Sequence, residues 1–201
     1  MTSAGRSCVA DHFTVEGFNL GGRLDPSIIG DAIEAAGASL ELANDMRHAY
    51  ASHLQALLDG GHAVMPLPGV LDLLEACNAR SHWTLGLLTG NFPETGRMKL
   101  AAAGIEVGAF AVQVWGDEGP TRNHLPEIAL QRFANSSPEM TVIIGDTLRD
   151  IECARACGCK VIATATGPVS KAELACGQPD LLLDDLSDTG TVLAWLERMS
   201  A

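Results

Sequence analysis

The chain is poor in positive charge. Thirteen Lys and Arg stand against 25 Asp and Glu, a formal net charge of −12. A nucleic acid or an anionic membrane would need a basic face, so both are disfavoured as partners. A small anionic substrate is not, because a local arginine and a metal ion can outweigh the global field. Long apolar runs are lacking as well: none reaches the ~18 residues that suggest a membrane-spanning helix. No basic-plus-apolar leader opens the sequence, which leads to the expectation of a cytoplasmic protein. The six cysteines (Cys8, Cys77, Cys153, Cys157, Cys159 and Cys176) include no C-x-x-C pair. That spacing disfavours zinc and predicts free thiols in a reducing compartment. Cys153 and Cys157 stand at i and i+4 among alanines and read as small core residues. Internal repeats and low-complexity tracts are also absent.

What is present suffices for a folded core. Hydrophobic residues make up 47% of the 201, which argues against disorder and for one large or two small domains. Asp25–Pro26 reads as a helix start, with Asp as the cap and Pro at the first position. A second helix follows Ser39 and runs to about Asp59, with apolar residues near a 3.6-residue period. These helices precede any convincing strand and predict a small helical domain over residues 12–65. Beyond the Pro66–Gly69 turn, strands and helices alternate. Strands are expected at Thr84–Thr89, Phe110–Trp115, Thr141–Gly145, Lys160–Ala165 and Asp180–Leu183. That alternation predicts an α/β fold with a doubly wound parallel, Rossmann-like sheet and right-handed crossovers. Residues 1–11 and 66–201 are assigned to this core. Trp83 and Trp115 flank strands and read as packing residues.

The most informative stretch is Thr141–Asp150, TVIIGDTLRD. Val142, Ile143 and Ile144 form a continuous apolar run, the pattern of a strand buried on both faces. Asp146 falls at its carboxyl end, where open α/β sheets place their chemistry. Asp150 follows four residues later, at the start of a helix. Two close, hard carboxylates suit Mg²⁺, which takes oxygen ligands and keeps several waters. The competing reading is structural: Asp146 ends a strand and Thr147 caps a helix. Two other loops share the phosphate-handling logic. Thr89, Gly90 and Asn91 offer a hydroxyl, an unhindered N–H and an amide at a strand end. Arg122, just before a helix, could neutralise phosphate charge with its donor fork; each is also an ordinary turn or loop residue.

Taken together, LLTGN (Leu87–Asn91), RNHLPEIAL (Arg122–Leu130) and VIIGDTLRDIECARACGCKVIATATG (Val142–Gly167) resemble the haloacid dehalogenase-like hydrolases, in their phosphoglycolate-phosphatase-like branch. NLGGRLDPSII (Asn19–Ile29) is similar to the opening of that branch's helical cap. The resemblance implies a Mg²⁺-dependent phosphomonoester hydrolase acting on a small phosphorylated metabolite. It implies catalytic roles for Thr89, Arg122 and Asp146, phosphate contacts from Thr89, Gly90, Asn91 and Arg122, and a metal site at Asp146 with Asp150.

One departure stands out. The family's nucleophile is the first Asp of a D-x-D-G-T motif that ends the first, central strand, and this sequence contains no such motif. The chain is therefore expected to lack that strand, to be inactive as written, and to associate through an incomplete sheet or as a homo-oligomer. Two alternatives remain open here: a non-catalytic phosphate- or partner-binding relative, and a 2-haloacid dehalogenase-like enzyme. The latter also needs the missing Asp and uses no metal.

Overall fold

The structure, a computed structural model, describes residues 1–133 and 136–199. In chain order its helices and strands are α1 (Thr2–Cys8), α2 (Asp25–Ala35), α3 (Ala43–Asp59), α4 (Val70–Asn78), β1 (Gly86–Leu88), α5 (Pro93–Ala102), β2 (Val112–Val114), α6 (Leu125–Arg132), β3 (Val142–Gly145), α7 (Leu148–Ala156), β4 (Lys160–Thr164), α8 (Lys171–Cys176), β5 (Leu181–Leu183) and α9 (Thr189–Met199). They divide into two compact units. One comprises Met1–Met65, Thr89–Val107 and Trp115–Asp117; the other comprises Pro66–Leu88, Gly108–Val114 and the chain from Glu118 onward. One junction between the units falls between Met65 and Pro66. Residues 1–11, assigned from sequence to the core, group instead with the helices, as do Thr89–Val107.

The first unit is helical. Its core gathers Ala4, Phe13, Ile29, Ala32, Ile33, Met46, Tyr50 and Phe92. Residues 1–11 join it because Thr2–Cys8 forms a helix that packs on α3. Gly5 lets the Phe13 ring lie directly on that helix: a Cβ there would stand 2.0 Å from ring Cδ1. Asp25 is not the cap of its own helix, as its sequence position suggests; Leu24 occupies that place. The Asp25 carboxylate instead accepts the Phe92 N–H at 3.1 Å and the Thr95 hydroxyl at 3.4 Å. It thereby satisfies an orphan donor at the start of α5, 67 residues away.

The second unit carries the sheet structure, and every strand pair in it is parallel. The strands form two ladders, β1-β2 and β3-β4-β5. β1 and β2 align Gly86 with Val112 and Leu88 with Val114. β3 and β4 align Val142 with Lys160 and Gly145 with Ala163. Among the described residues no ladder joins β1 to β3. This changes the expectation for Val142–Ile144: the run is not sealed on both faces, and Ile144 is 39% exposed. Among the described residues β3 pairs with β4 alone, so it stands at the edge of its ladder rather than in the middle. β4 has strands on both sides and is its buried counterpart, with Val161, Ile162 and Ala163 at 0% exposure. Two apolar clusters flank it: one of Ile151, Ala154, Cys159, Val161, Ala163 and Leu174, the other of Leu73, Cys77, Ile162, Leu186 and Val192.

Candidate phosphate and metal site

The carboxyl end of β3 leads through Gly145, Asp146 and Thr147 into α7, and the first turn of that helix is tightly self-supported. Asp150 accepts the Thr147 backbone N–H at 3.0 Å and the Thr147 hydroxyl at 2.7 Å, both on Oδ2. The geometry is that of a capping box, in which a carboxylate reaches back to the helix's first donor. Oδ1 of Asp150 is taken by Arg122, whose Nε donates at 3.1 Å and whose Nη2 donates at 2.5 Å. Both side chains are sheltered, with 13% of Arg122 and 4% of Asp150 exposed. Gly145 makes this possible: a Cβ there would stand 2.3 Å from the Asp150 Cγ.

Asp150 therefore has both oxygens committed to donors of this chain. It positions Arg122 and fixes the start of α7. Asp146 differs, because its protonation is governed by isolation rather than by partners. Burial pushes its carboxyl above the usual aspartate range and the neighbouring Asp150 charge pushes it further; its own backbone N–H and Arg122 pull back only in part. A half-buried carboxylate held in that state favours a cation beside it. The loop after β4 completes the cradle, since a Cβ at Gly167 would meet Asp146 Oδ2 at 2.4 Å and Cγ at 2.8 Å. Of the two sequence-predicted metal residues, Asp146 has the donor chemistry for direct contact and Asp150 the geometry of a support. Among the described residues no group of three or more His, Cys, Asp or Glu is arranged to hold a metal ion. One carboxylate with waters and a substrate phosphate is nevertheless the donor set Mg²⁺ commonly takes.

Arg122, Asp146 and Asp150 thus lie together in the sheet-bearing unit. Thr89, Gly90 and Asn91 belong to the helical unit, and their surroundings there are equally specific. The Thr89 hydroxyl accepts the Asn91 N–H at 3.2 Å. The Asn91 amide oxygen accepts from Lys99 Nζ at 2.8 Å. The Gly90 carbonyl oxygen accepts the Asp25 N–H at 2.7 Å, and a Cβ at Gly90 would stand 2.1 Å from the Arg23 carbonyl oxygen. Lys99 is a cation that the sequence reading missed. Its signal was weak, since a lysine six residues into an amphipathic helix looks like a solvated face. Thr147 was read only as a cap, and Gly167 only as part of a motif.

The HAD-hydrolase-like family model matches residues 120–189, the segment that carries Arg122, Asp146 and Asp150. The phosphoglycolate phosphatase of Salmonella choleraesuis (strain SC-B67) is 30% identical over 123 residues, 60% of this chain and 48% of that protein. The chain thus spans about half the length of the curated relatives it matches. Among solved structures, a predicted phosphoglycolate phosphatase from Haemophilus somnus 129pt superposes with a TM-score of 0.69 at 22% identity, covering 96% of this chain and 88% of that one. A hydrolase from Pseudomonas syringae gives a TM-score of 0.69 at 19% identity, over 87% of this chain and 79% of that one. A β-phosphoglucomutase from Clostridium difficile gives 0.67 at 13% identity, over 88% and 78%. At these identities the superpositions speak for the fold alone. With the parallel α/β architecture, the matched segment makes the chain similar to the haloacid dehalogenase-like hydrolases. Among them, the curated relatives it matches are phosphoglycolate phosphatases.

Proposed function

We propose that the chain is the phosphate- and Mg²⁺-binding part of a phosphomonoester hydrolase acting on a small phosphorylated metabolite. The observation that carries this reading is the Arg122–Asp150–Thr147 network beside Asp146. It fixes a guanidinium and a second, charge-starved carboxylate at one strand end. Asp146 would hold the metal, and Mg²⁺ there would supply charge neutralisation for a phosphoryl group. Arg122 has five N–H donors; two are spent on Asp150, which sets the plane of the fork. Thr89, Gly90 and Asn91 are assigned to the phosphate oxygens, as donors of a hydroxyl, an N–H and an amide.

Phosphoryl transfer in this class runs through an aspartyl-phosphate, and the sequence has no D-x-D-G-T. The expected activity of these 201 residues is therefore binding without turnover. With Mg²⁺ and either p-nitrophenyl phosphate or phosphoglycolate, release should fall far below the ~1 s⁻¹ of ordinary enzymes. Inorganic phosphate should still bind in the presence of Mg²⁺, and Arg122→Leu should abolish that binding. Turnover at or above about 1 s⁻¹, or phosphate binding indifferent to Arg122, overturns the reading.

A second reading, a non-catalytic relative that binds phosphate or a partner, is favoured by the same missing motif. The DNA upstream of the Met1 codon separates the two. An in-frame apolar strand ending in D-x-D-G-T supports the hydrolase; an in-frame stop directly upstream supports the binding protein. The unpaired apolar edge of β3 fits association through a partner strand in either case.

A further inference from the structure

The turn that joins α7 to β4 brings two sulfur atoms together. Cys157 ends α7, and its Sγ lies 3.6 Å from Sγ of Cys159. Gly158, between them, has φ +76°, a left-handed conformation that residues with a Cβ rarely adopt. The turn is anchored by Gly158 N–H to Arg155 O at 3.2 Å and Cys159 N–H to Ala154 O at 2.9 Å. The two thiols sit in different surroundings. Cys159 is 1% exposed, packed among Ile151, Ala154, Val161 and Leu174, whereas Cys157 borders that cluster and is partly exposed. Residues two apart are at most about 7 Å apart at Cα, which overlaps the 4.4–6.8 Å span a disulfide accepts. Closing 3.6 Å to the ~2.05 Å of an S–S bond requires the sulfurs to approach by about 1.5 Å.

We propose that Cys157 and Cys159 form a redox-active thiol pair that oxidises reversibly to an intrachain disulfide, with a peroxide as the oxidant. The Cys157 thiolate attacks one peroxide oxygen. The O–O bond breaks, water leaves, and Cys157 becomes a sulfenic acid. The Cys159 sulfur then attacks the Cys157 sulfur, the S–O bond breaks, and a second water departs. Two thiols lose two hydrogens and two electrons, and one hydrogen peroxide becomes two waters. A dithiol reductant reverses the change by thiol–disulfide exchange. Exposure assigns the order, because Cys157 meets solvent and Cys159 does not. Burial, and then the bond from Cys157, push the Cys159 thiol up to about 12. The pair lies outside the Arg122–Asp146–Asp150 site and does not depend on the function proposed for it.

The test uses the whole chain, reduced and then treated with hydrogen peroxide. Remaining thiols are alkylated and the digest is read by mass spectrometry. The expected result is a Cys157–Cys159 link in a monomer, two fewer alkylated thiols of the six, and full recovery with dithiothreitol. Cys153→Ala should keep the link. Cys159→Ser should remove it and leave Cys157 as sulfenic or higher acids. The proposal is overturned if Cys157 stays alkylatable while the exposed Cys176 is oxidised. It is equally overturned if Cys157 links to Cys153, or if Cys157 over-oxidises while Cys159 remains a free thiol. The wild-type measurement decides alone should the Cys159 variant not fold.

Discussion

Replacing Asp150 by Ala removes the acceptor for four donors: two from Arg122 and two from Thr147. It also leaves the Arg122 cation, only 13% exposed, without its partner. Breaking a buried ion pair by deleting one member costs about 3–5 kcal/mol, and losing a helix-start acceptor adds roughly 0.5–2 kcal/mol. Arg122 has some route to water, which discounts the ion-pair term, so a cost around the low end of that sum is expected, about 3–4 kcal/mol. For a chain of this size each kcal/mol lowers Tm by roughly 2–4 °C, giving a fall of about 6–16 °C. Asp150→Asn keeps an oxygen for the Thr147 N–H but loses the charge, and should fall between Ala and wild type. The double variant Arg122→Met/Asp150→Ala removes the stranded cation and should recover part of the loss. Thermal melts by tryptophan fluorescence, in a Trp115→Phe background, report the sheet-bearing unit through Trp83 and Trp195. A shift under ~2 °C for Asp150→Ala, where the buried pair should cost several-fold more, would refute the reasoning. So would a double variant less stable than Asp150→Ala alone.

Three further outcomes are expected. Gly167→Ala places a Cβ 2.4 Å from Asp146 Oδ2; it should weaken Mg²⁺ binding about 10–100-fold, as displaced metal-site supports do. Isothermal titration reads the loss, and unchanged affinity counts against the cradle. Mg²⁺ also competes with a proton at Asp146, whose carboxyl is raised by burial and then by Asp150. Binding should therefore be present above that raised value and vanish as pH falls through it; affinity flat from pH 7 to about pH 4, the ordinary aspartate range, opposes the assignment. Asp25 is likewise raised, chiefly by burial, against the pull of Lys99 and of the bonds from Phe92 and Thr95. A raised folded-state value stabilises below the ordinary aspartate pKa of ~3.9 and is lost as pH rises through the folded value. Asp25→Asn retains an oxygen for the Phe92 N–H, so its Tm relative to wild type should rise between pH 4 and pH 7. A difference that stays constant or falls contradicts the linkage.

The alternation of strands and helices from residue 66 onward is visible in the chain because it is written in short-range patterns. The apolar runs TLGLLT and TVIIG, the Pro at the start of α2 and α5, and the glycines after helices act within a few residues. They bias backbone torsions before any distant contact forms. The G-D-x-x-x-D spacing is equally local: Thr147 and Asp150 find each other within one turn of α7, three residues apart. Candidate residue types at strand ends could therefore be named from sequence, and so could the family that the chain resembles.

Only tertiary structure assigned the partners. Asp150 looked like a second metal ligand until Arg122, 28 residues earlier, was seen on its other oxygen. Asp25 looked like a cap for its own helix until it was found capping α5, 67 residues on. Ile144 looked buried until β3 proved to pair on one side only. Each depends on which distant segment fills the last hydrogen-bonding position or covers the last apolar face. Closing such loops costs entropy that only the assembled core recovers. The sequence by itself determined the elements, the family likeness and the inventory of acids and cations. The tertiary structure decided which acid is consumed in holding the arginine and which stays half-buried with its carboxyl raised.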